Sequence, residues 1–141
     1  MSAEFDVIEL SKYIINKCIE NQHPINNLQL QKILYYIKKQ YLKNNQVAFD
    51  DYIEAWPYGP VVPKSYYEFC YYGVMKLNDR FEVRKLNNTK IIDSIIEEKS
   101  ELHPWKMVED TYKPGGAWDL TYKNGKGYKS LISNDLITLE L

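Results

Sequence analysis

The side chains in this 141-residue sequence that could do chemistry are two histidines, two cysteines and one acidic cluster. A metal centre needs several His, Cys, Asp or Glu brought together at close spacing. His23 and His103 each stand alone, and Cys18 and Cys70 form no C-x-x-C pair. Both histidines read as structural or exposed. Nucleophilic catalysis needs a Ser or Cys with a base in reach, but no G-x-S-x-G occurs and nothing in the sequence links Cys70 to His103. Neither common Gly-rich phosphate loop is present. Asp50, Asp51 and Glu54 form the acidic cluster. A carboxylate pair can act as acid and base in hydrolysis, yet this one reads first as a solvated loop or a patch facing a basic partner. These residues predict no metal, no cofactor and no enzymatic activity.

What the sequence does concentrate is rigid apolar surface. The sixteen residues from Glu54 to Phe69, "EAWPYGPVVPKSYYEF", hold one Trp, three Pro, three Tyr and only three charges. Trp and Tyr bring large contact area with few rotatable bonds, and Pro reduces the entropy lost on ordering. Ala55, Trp56 and Val61 are expected in the core, with Trp56 also counted among the candidate partner-binding residues. Tyr58, Pro60, Tyr66 and Tyr67 are expected to contact a partner, with Asp51 and Glu54 beside them. Gly59 allows a tight turn before Pro60. "PVVP" also fits the minimal P-x-x-P pattern, although a folded loop is the simpler reading in this chain. The thirteen tyrosines overall suit surfaces that are covered at some times and wet at others, but biased codon usage accounts for scattered ones equally well.

Bulk properties bound the rest. The length suits one domain, residues 1–141, with a single core. Apolar residues make up 45% and charged residues 26%, which places the chain among globular proteins rather than disordered ones. The formal net charge of −1 supplies no global field for nucleic acid or an anionic membrane. No apolar run approaches the roughly 20 residues that span a bilayer, and the acidic start "MSAEFDVIEL" is unlike a signal peptide. The two cysteines read as reduced small hydrophobes, with a disulfide as the lesser option. A cytoplasmic location follows as an expectation.

The elements that must position the aromatic segment are mostly helical. Ser2 is the expected cap of a first helix whose stripe runs through Val7, Ser11, Ile14 and Cys18, with Asn16 on the opposite face. It should end near Pro24. Asn26 and Gln29 are spaced as a capping box for a second helix with Leu30, Leu34, Ile37 and Tyr41 on one stripe and Lys32, Lys39 and Lys43 opposite. "QVAFDDYIEAWPYGP" predicts an extended loop or short hairpin. Pro63 opens a third helix, closed by Gly73. "FEVRKL" alternates like an edge strand. Asn88 and Ser100 are expected caps of two further helices, "NGKG" joins two short strands, and Ser133 caps a last helix. The expectation is a mainly α, compact single-domain bundle of about five or six helices with a small β-hairpin or short strands.

The second helix and the aromatic segment together resemble the Panacea antitoxin-domain family, which includes SocA-like antitoxins and phage-associated GepA-like proteins. The residues that carry the likeness are Leu30-Gln31-Lys32-Ile33-Leu34-Tyr35, then Glu54-Ala55-Trp56, then Tyr58-Gly59-Pro60-Val61. "LHPW" at 102–105 is similar to a Thr-His…Pro-Trp element of the family, without its Thr, and "LISNDLI" is similar to its closing helix. The insert "YKPGGAWDLTYKNGKGYKS" departs from the pattern and could change the surface near that last helix. The resemblance implies a small helical domain that neutralises a toxin by direct protein–protein contact. Related phage proteins suggest the alternative of a counter-defence inhibitor acting on a host nuclease complex. A small helical DNA-binding regulator is the lesser alternative, suggested by the lysines of the second helix.

Overall fold

The computed structural model describes residues 2–141, the side chain of Val108 excepted. Helix α1 spans Val7–Glu20, and its cap is Asp6, not Ser2. Asp6 Oδ2 accepts from the amides of Ile8 and Glu9 at 3.1 and 3.0 Å. The residues before it cannot be helical because the amides of Glu4 and Phe5 donate to the carbonyls of Val47 and Ala48, each at 2.9 Å. Helix α2, Asn27–Lys43, has the capping box expected of Asn26 and Gln29, with both reciprocal bonds at 2.9 Å.

Helix α2 is the axis of the molecule. It packs against α1, the sheet and four helices that follow in the chain, so apolar side chains leave it in several directions. Leu30, Ile33, Leu34, Tyr35, Ile37 and Tyr41 are buried, and so are Gln31, Lys32 and Lys38. The expected exposed face therefore holds only in part. Lys43 is exposed and Lys39 half-buried, whereas Lys32 has no solvent exposure. A long aliphatic stem can pack like an apolar residue, but here the amine itself is inside.

Strands β1 (Ile53–Trp56) and β2 (Gly59–Val61) form the expected hairpin. Its closing pair is Trp56 with Gly59, leaving Pro57 and Tyr58 as the loop. Pro57 locks φ negative and so rules out the primed turns that usually close such hairpins. The positive φ falls on Gly59 instead, at +114°, a conformation only Gly adopts without strain. A third strand, β3 (Leu131–Ile132), pairs antiparallel with the other edge of β1, giving the order β2-β1-β3.

Helix α3 (Pro63–Glu68) begins at its proline, runs into a 3₁₀ turn at Cys70–Tyr72 and stops at Gly73, φ +60°. Helices α4 (Lys90–Ser100), α5 (Pro104–Thr111), α6 (Ala117–Tyr122) and α7 (Asn134–Leu139) complete the chain. The fold is mainly α with a small antiparallel sheet, and Ser133 caps α7 as expected.

Further local expectations fail, each for a visible reason. "FEVRKL" joins no ladder. Asn16, half-buried rather than on an outer face, donates to the Phe81 carbonyl and accepts from its amide, at 2.8 and 2.9 Å. One side-chain amide thus replaces a partner strand. Asn88 is left-handed (φ +57°), and the cap position passes to Thr89. Ser100 lies in the last turn of α4, and His103 caps α5, its Nδ1 accepting from the Trp105 amide at 3.3 Å. "NGKG" forms a 3₁₀ turn after α6 rather than a hairpin, and β3 pairs with β1 instead.

A polar seam joins α1, α2 and α3 beneath the hairpin. Ser11 and Ser65 share a bond of 2.8 Å. Gln31 Nε2 donates to Ser65 Oγ and Asn27 Oδ1 at 3.3 and 3.0 Å. Its Oε1 accepts the Val62 amide at 3.0 Å, and Asn27 donates to the Tyr66 carbonyl at 3.0 Å. All four of these polar side chains are buried. Gln31→Leu keeps most of the volume but strands the Val62 amide, so urea denaturation should register a loss of about 1–3 kcal/mol. No loss would mean that the seam is dispensable.

Candidate functional site: an aromatic groove on a clasped turn

The Pro57–Tyr58 turn and its flanks present several carbonyls to the surrounding elements. Three side chains from three directions take them. Lys32 Nζ, from α2, donates to the Pro60 carbonyl at 3.0 Å. Tyr112, just after α5, donates its hydroxyl to the Pro57 carbonyl at 2.6 Å. Trp118, from α6, donates its indole N–H to the Trp56 carbonyl at 2.8 Å. Tyr112, Trp118 and Tyr122 stack behind the turn, with ring centroids 4.4 and 4.7 Å apart along the series. The segment 112–130 thus supplies Tyr112 and Trp118 as the back wall of the hairpin.

Lys32 sits directly beneath the corner. A Cβ added to Gly59 would lie 2.9 Å from Lys32 Cε, Lys32 Nζ and Thr111 Oγ1. Glycine is therefore required twice, for its backbone angle and for the close approach of the lysine. Burial alone pulls the Lys32 amine down from the ordinary 10.5 to about 7, because a charged amine loses its hydration there without gaining a carboxylate. Lys38, also buried, donates to the Asp51 carbonyl at 2.7 Å.

In front of the clasped turn lies a groove of about 570 Å³. Trp56, Tyr58 and Val61 come from the hairpin, Tyr66 from α3 and Leu28 from the first turn of α2. Val74, Pro104 and Trp105 complete the lining, and Asn26 and Asn27 are among its few polar groups. Among the described residues no charged one lines it. Tyr58 is 62% exposed, Trp105 70% and Val74 90%. Large apolar side chains so exposed, gathered around one concavity, mark an interaction surface more often than an accident of packing.

The expected site residues divide unevenly. Ala55 and Val61 are buried as expected. Trp56, expected in the core, is half-buried and forms a groove wall. It packs edge-on against Tyr66 at 5.0 Å and against Tyr67 at 6.0 Å, while Lys129 lies 5.4 Å from its ring centroid. Tyr66 lines the groove, and exposed Tyr67 extends its aromatic rim. Pro60, expected to contact a partner, is buried, because its carbonyl is drawn inward onto Lys32. Glu54 accepts the Trp56 indole N–H at 2.8 Å, orienting the ring. Asp51 stands apart, 4.0 Å from Lys64. Neither carboxylate lines the groove.

Leu28, Val74 and Trp105 were missed by sequence reasoning. Two of them left a trace: Leu28 lies off the stripe of Leu30, Leu34, Ile37 and Tyr41, and Trp105 belongs to the "LHPW" element.

Other chemistry finds no support. Cys18 is buried, its thiol pushed up to about 12 by burial, and Cys70 is exposed and also free. Among the described residues no group of three or more His, Cys, Asp or Glu is placed to hold a metal ion, and no helix is long and apolar enough to cross a membrane. The lysines that suggested DNA binding are occupied: Lys39 pairs with Glu140 at 2.7 Å, and Lys43 donates to the Thr138 carbonyl at 3.1 Å. With Lys32 and Lys38 buried, α2 offers no basic face to a DNA groove.

Residues 30–119 match the family described as antitoxin SocA-like, Panacea domain. The chain is also similar to the antitoxin SocA of Caulobacter vibrioides, strain NA1000 / CB15N. The two are 28% identical over 138 residues, covering 86% of this chain and 72% of that protein. No solved structure matches significantly.

The aromatic residues should separate into support and display. Tyr58→Ala and Trp105→Ala remove exposed rings and should shift stability by no more than about 0.5 kcal/mol. Trp118→Ala removes a buried ring and a carbonyl's partner, and should cost roughly 3–5 kcal/mol. Thermal melts of the three variants would reverse this assignment if Trp118→Ala proved the mildest.

Proposed function

The chain belongs to the SocA-like Panacea antitoxin-domain family, and from that premise we propose that it neutralises a partner toxin by direct protein–protein contact, using the aromatic groove. The observation that carries the reading is the exposure of Tyr58 and Trp105 in the lining of one groove that no charged residue among those described enters, one of them on a turn clasped from behind. Binding hot spots are enriched in Trp and Tyr set around concave, desolvatable surface. A turn already held in place loses little conformational entropy when a partner covers it. Trp56 and Tyr66 form the groove wall, Tyr67 extends the rim, and Glu54 fixes the Trp56 indole. Asp51, outside the groove, is a peripheral contact at most. Pro60 contributes through the shape of the turn rather than by touching the partner.

On this reading the protein is a non-catalytic binding module acting in the cytoplasm, and residues 1–141 work as one Panacea-like domain. It requires no cofactor and no nucleic acid contact.

The test is genetic and then quantitative. A gene adjacent to this one should encode a protein that is toxic when expressed alone and harmless when co-expressed with this chain. Against that protein, Tyr58→Ala or Trp105→Ala should weaken binding by about 2 kcal/mol, or roughly 30-fold in Kd, with the melting temperature unchanged. Full neutralisation by a Tyr58→Ala, Trp105→Ala double variant would remove the groove from the reading. Recovery of a host nuclease complex in place of a toxin would replace the partner class.

A further inference from the structure

Lys32 is the buried titratable group for which packing alone gives no reason. A Met or Leu would fill its stem's volume without the burden of an amine that has left water. Its position supplies the reason. The Nζ lies 3.0 Å from the Pro60 carbonyl, and both Nζ and Cε come within 2.9 Å of where a Gly59 Cβ would stand. Gly59 and Pro60 follow Tyr58 directly, and Val61 after them lines the groove. From the core side, then, the amine touches the corner that decides where Tyr58 stands.

We infer that Lys32 is the positioning residue of the groove: its amine holds the Gly59–Pro60 corner, and through it the turn bearing Tyr58, in the geometry a partner meets. The inference rests on the groove being the binding surface, but its test needs no partner.

The surroundings of the amine make the hold pH-dependent. Strand β2 offers it main-chain oxygen, and α5 brings Thr111. Charged groups on the elements packed around it include Lys106 and Asp110 on α5, paired at 3.2 Å, with Glu109 between them, Lys39 of α2, paired with Glu140, and Glu54 of β1, which accepts the Trp56 indole N–H. Burial is the sole cause of the lowered Lys32 value of about 7. When the hairpin lifts away, the amine meets water and regains a value near the ordinary 10.5. The open state therefore binds the extra proton between about pH 7 and pH 10. The closed state gains over the open one as pH rises through that window, and below about pH 7 the balance is flat.

Hydrogen exchange on the full chain reads this directly. Hairpin amides should be less protected than the amides of Ile14 and Ile15 in α1. Their protection, corrected for intrinsic exchange, should rise by up to about tenfold per pH unit from pH 7 to pH 9. In Lys32→Met the hairpin should be less protected at pH 9 than in the wild type, and its protection should no longer depend on pH. Three results would overturn the inference: no pH slope in the wild-type hairpin, hairpin and α1 protection identical at every pH, or Lys32→Met retaining wild-type hairpin protection. The first two need only wild-type protein, so they decide the matter even if the variant does not fold. If the hairpin behaves as expected while Tyr58→Ala leaves toxin binding intact, the positioning role stands and the groove reading fails.

Discussion

A turn built from Trp-Pro-Tyr-Gly-Pro has more carbonyl oxygens than its hairpin can bond, and much of the fold answers that imbalance. Neither Pro57 nor Pro60 can donate to a ladder, and a buried carbonyl without a donor is costly. The protein brings donors from three helical regions to one corner: an amine from α2, a phenol from the end of α5 and an indole from α6. Each comes on a side chain long enough to cross from its own element to the turn. The Val62 amide just beyond is met by Gln31. Two adjacent residues of α2, Gln31 and Lys32, therefore bond the two ends of the Pro60–Val62 segment. This accounts physically for a polar pair inside an otherwise apolar helical stretch.

The three tryptophans divide the work. Trp118 is buried and faces the turn from behind. Trp56 stands half-way, its carbonyl bound to Trp118 and its ring in the groove wall. Trp105 lines the same groove and is displayed to solvent. Their exposure increases in that order, and each is oriented through its own polar or backbone atoms. Glu54 takes the indole N–H of Trp56, while His103 accepts the backbone amide of Trp105. A surface made this way is apolar without being soft, the combination that lowers the entropic penalty of association.

Much of the frame was legible from local rules. The capping box of Asn26 and Gln29, the Pro63 helix start, the Gly73 stop and the Ser133 cap all rest on backbone chemistry within a few residues, and all four appear as expected. What could not be read locally was direction. Lys32 and Lys39 lie seven residues apart on α2, and the helical period puts them on nearly the same face. One is nevertheless fully buried and the other half-buried and paired, because the hairpin covers α2 at one level and α7 at the other. The burial of Pro60 and the partial exposure of Trp56 escape local rules for a related reason. Pro60 turns inward because a lysine waits behind it, and Trp56 remains partly outside because Tyr66 and Tyr67, not the core, receive its ring. The two-residue strand β3 is too short to carry a pattern of its own and exists only as a partner for β1.

Helix α2 thus serves two functions that proteins often keep apart. Its apolar residues fill the core, and its polar ones reach through to hold the surface that faces outward. A disturbance of the core that rotated α2 by even a fraction of a turn would draw Lys32 from the Pro60 carbonyl and Gln31 from the Val62 amide. The groove would lose its shape before the domain lost its fold, because hydrogen bonds depend on direction while apolar burial is non-directional. Using one helix for both roles couples the display of the aromatic turn to correct packing. The recognition surface is then complete only when the domain beneath it is.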